Sequence, residues 1–120
     1  MNGLLLDTCA LLWSADKGRH AGRLRAILAD AWTGGTDLAV SPISAWELGN
    51  LVAARRMGFG MAPLAWFEGT VVAAGLRVVD LTARILAVST DLPDLPHRDP
   101  ADRIIIATAR EMGYRVVTRD

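Results

Sequence analysis

The sequence predicts an α/β fold, a three-layer sandwich in which a central parallel sheet of four to five strands is flanked by helices. Three observations support this fold class. Four short runs are almost entirely apolar instead of alternating, as is typical of parallel strands that are covered on both faces. Helical patterns separate these runs. Most of the helical patterns stop at a glycine or just before a proline.

The strands and helices follow one another along the chain without a linker or a repeat. The predicted strands are GLLLD (3–7), DLAVS (37–41), LRVVD (76–80) and YRVVT (114–118). The predicted helices cover residues 21–32, 44–58, 63–75, 82–92 and 101–113. Helix stops are expected at Gly34, Gly58, Gly75 and Gly113, and before Pro93. Two helices lie between the second and third strands, so the chain is not a plain βαβ repeat.

Length and composition predict a single domain over residues 1–120. Apolar residues make up 52% of the chain and charged residues 22%, which excludes a disordered protein. The 13 basic and 13 acidic residues cancel, so net charge gives no sign of a nucleic-acid partner. The longest uncharged run, 57–67, is too short to span a bilayer, and the first residues lack the basic start of an export signal. We therefore expect a soluble, cytoplasmic protein.

Cys9 is the only cysteine, which excludes an internal disulfide and fits a reducing cytoplasm. No positively charged residue stands beside it in the sequence to stabilise a thiolate. We expect Cys9 to be a small buried residue.

Acidic residues occur where the predicted strands end and the helices begin. In parallel sheets, ligands bind beyond the carboxyl ends of the strands. The acids at such positions are Asp7, Glu47, Asp80, Asp99, Asp102 and Asp120. Glu47 is expected in the first turn of the helix after the second strand, and Asp99 and Asp102 open the last helix.

Each of these acids also has a purely structural interpretation. Asp7 and Asp99 are candidate helix caps, Asp99 with Pro100 as the first helical residue. Ser44 and Glu47 have the spacing of a capping box. Asp102 suits the first turn of a helix, and Asp120 suits a turn.

Taken together, the acids favour a metal site. Three or four carboxylates at one sheet edge would repel one another and raise one another's pKa values unless a cation lay among them. Ligands with oxygen atoms only suit a hard divalent ion such as Mg²⁺ or Mn²⁺. His20 and His97 have no partners at zinc-ligand spacing, and no dinucleotide, P-loop or nucleophile-elbow motif is present.

Four segments resemble the PIN-domain ribonucleases, in particular the VapC-type toxins of bacterial toxin–antitoxin pairs. They are LLLDTCALLW, SPISAWELG, LPHRDPADRIIIATA and VVTRD, and they span nearly the whole chain in the expected order. The resemblance implies a PIN-like fold and an endoribonuclease that needs Mg²⁺ or Mn²⁺. The enzyme would hydrolyse RNA phosphodiester bonds, leaving a 5′-phosphate and a 3′-hydroxyl.

The resemblance also implies roles for the acids. Asp7, Glu47 and Asp102 match the family's catalytic acids and metal ligands, and Asp120 matches its more variable fourth acid. Asp99 is the extra acid of an HRDP subgroup, either a cap or a supporting residue at the site.

Other residues of these segments have supporting roles on the same pattern. Thr8 is placed to hydrogen-bond a metal ligand or a metal-bound water. Arg98 and Arg103, with Arg119 behind them, are candidate phosphate contacts, although surface solvation or pairing with a carboxylate would explain them equally well.

The partners implied by the resemblance are an RNA substrate, a cognate antitoxin protein and a second copy of the chain in a homodimer. One apolar cluster is either core or part of a groove for the antitoxin. It consists of Met57, Phe59, Met61, Trp66 and Phe67. Family members usually continue beyond the position of Asp120, which leaves open that a short C-terminal segment is missing.

The alternative is a non-catalytic acidic pocket that binds a metal ion, as in receiver-like regulatory modules. Receivers carry paired acids after the first strand, an acceptor aspartate after the third and a lysine after a later strand. Here only Asp80 follows the third strand, and the sole lysine is Lys17. A phosphatase with an aspartate nucleophile would need D-x-D where this chain has Asp7-Thr8-Cys9.

Overall fold

The structure is a computed structural model that describes residues 3–16, 21–93 and 99–118. The strands in this part of the chain are β1 (Gly3–Leu6), β2 (Asp37–Val40), β3 (Arg77–Val78) and β4 (Arg115–Val117). The helices are α1 (Thr8–Ser14), α2 (Gly22–Thr33), α3 (Ile43–Ala53), α4 (Pro63–Ala74), α5 (Ala83–Ser89) and α6 (Pro100–Met112).

The strands form one parallel sheet in the order β3-β2-β1-β4. β1 lies in the interior of the sheet and pairs with β2 and β4, with Leu6 opposite Val40 on one side and Val117 on the other. The predicted parallel α/β architecture is confirmed, with four strands among the described residues. This order brings the carboxyl ends of β1, β2 and β4 side by side.

The two interior strands, β1 and β2, are buried on both faces, which explains why their sequences do not alternate. The expectation that all four strands are covered on both faces is wrong for the edge strands β3 and β4, whose residues are mostly exposed. On β1, Leu6 packs into the core on the side of α1, α2, α3 and α4, whereas Leu5 packs against Ile105 and Ala109 of α6. α5 and α6 share a further small core around Ile85. The structure therefore has the predicted three layers.

A polar cluster joins the strands at their amino ends. The Tyr114 ring covers Gly3, where a Cβ atom would lie 2.4 Å from the ring. The Tyr114 hydroxyl donates to Asp37, and Arg77 Nη2 lies 2.6 Å from Asp37 Oδ2. Hydrogen bonds from Arg77 and Tyr114 lower the pKa of Asp37. Ionised Asp37 therefore stabilises the fold above its ordinary pKa of 3.8, and this contribution is lost as the pH falls below that value.

Gly75 and Gly113 end α4 and α6 as predicted, in the left-handed conformation with φ of 67° and 68°. The predicted stop of a helix at Gly58 is wrong. α3 ends at Ala53, and Arg55 takes the left-handed position with φ of 58°. The Arg56 N–H donates to the Leu51 carbonyl and the Arg55 N–H to the Val52 carbonyl, so a Schellman motif closes the helix without a glycine.

The helix predicted over 82–92 is also shorter than expected, since α5 ends at Ser89. The hydroxyls of Ser89 and Thr90 donate to the carbonyls of Leu86 and Ala87. Such side-chain bonds compete with continued helix formation.

The expectation that Cys9 is buried is wrong. α1 turns Thr8, Ala10 and Leu11 toward the core, and Cys9 lies on its exposed face. None of the helices in the described ranges is both long and apolar enough to cross a membrane.

Candidate metal centre

Asp7 lies at the carboxyl end of β1. Its backbone N–H donates to the Val117 carbonyl of β4 at 3.0 Å, and its Oδ1 accepts from the Ala10 N–H of α1 at 2.7 Å. The interpretation of Asp7 as a helix cap is thus confirmed. The cap does not exclude metal binding, because a carboxylate offers two oxygen atoms and several acceptor positions. It fixes the Asp7 side chain at the sheet edge.

Glu47 is placed by α3, and the structure corrects its sequence-based interpretation. α3 begins at Ile43 with Pro42 as N-cap and without a side-chain cap, so Ser44 and Glu47 do not form a capping box. Glu47 is the fifth residue of the helix and not a member of its first turn. The turn before the helix is closed by Ser41, whose Oγ accepts from the Ile43 N–H at 3.1 Å.

The Glu47 carboxylate points toward α1, where the Thr8 hydroxyl donates to its Oε1 atom. Thr8 is buried, as is Ser44, and the Oγ atoms of these two residues are 2.9 Å apart. Ser44 is a contact that the sequence analysis missed. The i, i+3 spacing of Ser44 and Glu47 was the available signal, because it puts both side chains on one helix face.

Asp99 and Asp102 lie at the amino end of α6. Asp99 Oδ1 accepts from the backbone N–H groups of Ala101 and Asp102, at 2.9 and 3.2 Å. Asp99 is therefore the N-cap, Pro100 is the first helical residue and Asp102 is an acid of the first turn, as predicted.

Electrostatics connects these acids. The pKa of Glu47 is raised, first by its burial and further by repulsion from Asp99, Asp102 and Asp7, while the hydrogen bond from Thr8 acts in the opposite direction. Acids at the end of β1 and at the start of α6 thus act on one half-buried carboxyl group of α3. Asp80, the other acid that follows a strand, is exposed beyond the edge strand β3.

Asp7, Asp99 and Asp102 lie near enough to Glu47 to affect its pKa, but their side chains do not converge on one point. Within residues 3–16, 21–93 and 99–118, no three His, Cys, Asp or Glu side chains converge closely enough to hold a metal ion. The chemistry of the donor set still fits a hard divalent cation, because it consists of carboxylates whose mutual repulsion a cation would relieve.

Several predicted site residues lie outside the described residues or make structural contacts. Asp120, Arg98 and Arg119 are outside the described ranges, as are His20 and His97, for which no site role was predicted. Arg103 is described, and its Nε donates to the Ser89 carbonyl at the end of α5, at 2.9 Å. This contact ties α6 to α5.

The apolar cluster of residues 57–67 is partly core and partly surface. Phe67 is buried, whereas Met61 is 55% exposed. The rings of Phe59 and Trp66 stack with centroids 4.5 Å apart. Met61 and Trp66 line a groove of about 240 Å³ between the end of α1 and α4.

Two comparisons with known proteins bear on this site. The family model described as "PIN domain" matches residues 4–120. The chain is 36% identical over 121 residues to a protein named Ribonuclease VapC22 from Mycobacterium tuberculosis, and the match covers 100% of this chain and 88% of the relative.

We expect Glu47→Gln to stabilise the metal-free protein at neutral pH. Because the folded-state pKa of Glu47 lies above its ordinary 4.5, ionised Glu47 lowers stability at pH values above the raised pKa. This penalty disappears as the pH falls below the ordinary value. The gain should stay below about 1 kcal/mol, because water screens part of the repulsion at a half-buried site.

The measurement is urea unfolding in the presence of a chelator between pH 4 and pH 8. Glu68→Gln, at an exposed position of α4, is the control and should show no comparable gain. A Glu47→Gln protein that is less stable than the parent at pH 7 would contradict the assigned repulsion.

Proposed function

The chain belongs to the PIN-domain family, and on this basis we propose that Asp7, Glu47 and Asp102 hold the metal ion at which it cleaves RNA. The protein is a VapC-type endoribonuclease, a metal-dependent hydrolase of RNA phosphodiester bonds and the toxin of a toxin–antitoxin pair. The observation that carries the site assignment is the position of Glu47, half-buried beside the acids at the ends of β1 and α6. Burial raises its pKa most, and Asp99, Asp102 and Asp7 raise it further.

The proposed ion is Mg²⁺, and Mn²⁺ would suit the same oxygen ligands. Held by Asp7, Glu47 and Asp102, such an ion would supply activation of a water molecule and stabilisation of charge on the phosphate. Asp120 is proposed as the fourth acid of the site. Arg98 and Arg103 are proposed as phosphate contacts.

The protein's own residues keep the proposed ligands in place. The cap bond to Ala10 holds Asp7 at the end of β1, and Thr8 orients Glu47. Asp99 caps α6 and so holds the first turn that carries Asp102. In this arrangement Asp7, Glu47 and Asp102 provide the negative charge. Thr8 holds the Glu47 side chain, and Asp99 holds the helix turn of Asp102.

The non-catalytic, receiver-like alternative is not favoured. The chain belongs to a nuclease family along nearly its whole length. The acid that a receiver would phosphorylate, Asp80, is exposed after the edge strand β3 and is not among the acids that raise the pKa of Glu47.

The two acids of α6 provide a direct test. Asp99→Ser keeps a cap oxygen and should preserve both the melting temperature and most of the cleavage. Asp102→Ser keeps the cap but removes a ligand. It should reduce cleavage by more than about 100-fold, beyond the range typical of residues that only support a ligand, with little change in melting temperature.

The measurement is Mg²⁺-dependent cleavage of a mixed RNA pool by both variants, with melting curves recorded alongside. Equal losses of cleavage would place Asp99 among the ligands. Full activity of Asp102→Ser would refute the proposed site.

The protein's partner is an antitoxin, and we propose that it binds the groove between the end of α1 and α4. This groove contains Met61 and Trp66 of the apolar cluster that the sequence singled out. A helix or extended tail of the antitoxin would lie there and direct a basic side chain toward the acids. The homodimer stays a prediction.

Two exposed residues near the start of α4 allow this groove to be tested against a neighbouring one. Met61 lines it and is 55% exposed, whereas Leu64 lines a different groove and is 61% exposed. We expect Met61→Glu to weaken binding of the co-expressed antitoxin by at least about tenfold, since a charge would be buried in an apolar contact. Leu64→Glu, the matched control, should bind normally. The measurement is titration of each variant with the purified antitoxin. Equal affinities of Met61→Glu and Leu64→Glu for the antitoxin would contradict the assigned groove.

A further inference from the structure

Two buried hydroxyl groups lie behind Glu47. Ser44, on α3, is fully buried, and Thr8, at the start of α1, is 7% exposed. Their Oγ atoms are 2.9 Å apart, and the Thr8 hydroxyl donates to Glu47 Oε1. The three side chains form a continuous hydrogen-bonded series that leads from the core to the acids.

The direction of this series follows from the number of protons. A threonine hydroxyl has one proton, and Thr8 gives it to Glu47. The Ser44 hydroxyl must therefore be the donor in its contact with Thr8. Hydrogen bonds in such a series polarise one another, so the bond from Ser44 strengthens the bond from Thr8 to Glu47.

We propose that Ser44 is a positioning residue of the metal site, which acts through Thr8 to hold the Glu47 carboxylate in one orientation. The inference rests on the proposed function of Glu47 as a metal ligand and extends it to a residue without a metal contact. Ser44 donates to Thr8 and thereby commits the Thr8 proton to Glu47. The carboxylate then keeps a fixed orientation toward the sheet edge where Asp7 follows β1.

A purely structural role for Ser44 would have different consequences. Alanine is a better helix former than serine, and Thr8 would keep its bond to Glu47 after Ser44→Ala. A structural role therefore predicts that Ser44→Ala changes the stability at most and leaves the affinity for a metal ion unchanged. Ser41 offers a matched comparison, because it is also a fully buried serine beside α3, but its Oγ accepts from the Ile43 N–H.

The experiment is calorimetric titration of the metal-free protein with Mn²⁺ alone. Thr8→Val should raise the Kd about 10- to 100-fold, as is typical when a direct partner of a metal ligand is removed. Ser44→Ala acts one bond further away and should raise it about 3- to 10-fold. Ser41→Ala should leave the Kd unchanged, and all variants should keep the parent's melting temperature within a few degrees.

A double variant tests whether Ser44 acts through Thr8. If it does, Ser44→Ala has no further effect on the Kd once Thr8→Val is present. Ser44→Cys, which keeps a weak donor, should bind Mn²⁺ with an affinity between those of the parent and Ser44→Ala. Cleavage by Ser44→Ala should recover toward the parent's kcat when Mn²⁺ is saturating.

The outcomes separate this inference from the proposed function. If Glu47→Gln weakens Mn²⁺ binding while Ser44→Ala binds like Ser41→Ala, the positioning role is overturned and the metal site stands. Additive effects in the double variant would also overturn the action through Thr8. If Glu47→Gln leaves the Kd unchanged, the proposed function and the role of Ser44 fail together.

Discussion

The repulsion among carboxylates at the carboxyl edge of the sheet is the constraint on which the functional part of this structure depends. Burial alone raises the pKa of Glu47, and Asp99, Asp102 and Asp7 raise it further. Placing like charges around a half-buried acid lowers the stability of the metal-free fold. The arrangement becomes favourable when a cation lies among the acids. The same cluster of carboxylates therefore lowers the stability of the fold and provides the proposed metal site.

The opposite edge of the sheet shows the contrast. There Asp37 receives hydrogen bonds from Arg77 and Tyr114, and its pKa is lowered. Aspartate stabilises the fold at the amino edge because it is paired with a cation, whereas Glu47 at the carboxyl edge meets other acids. The two edges differ because all four strands are parallel, so that every strand starts at one edge and ends at the other.

Much of the fold could be predicted from the sequence, because apolar strands and glycine stops are local signals. Gly75 and Gly113 end their helices as expected, whereas α3 ends at Ala53 through a backbone motif in which Arg55, and not a glycine, takes the left-handed position. The caps at Asp7 and Asp99 were also predictable.

The contacts of Ser44 were not predictable in this way. The capping-box spacing is local, but the partner of Ser44 is Thr8, 36 residues away and brought near only by the packing of α1 against α3. The exposure of Cys9 was not predictable either. Its apolar neighbours in the sequence suggested a buried residue, but its position depends on which face of α1 packs against the core. Asp120 remains a prediction, since it lies outside the described residues.

The central claim is that Asp7, Glu47 and Asp102 share one metal ion, although no three such side chains converge in the part of the chain that the structure describes. A crystal structure of the protein soaked in Mn²⁺ tests this most directly, because anomalous scattering locates the ion. The account predicts an ion coordinated by oxygen atoms of all three acids, at about the 2.1 Å typical of small divalent cations. An ion bound elsewhere, or bound by Asp99 in place of Asp102, would contradict it.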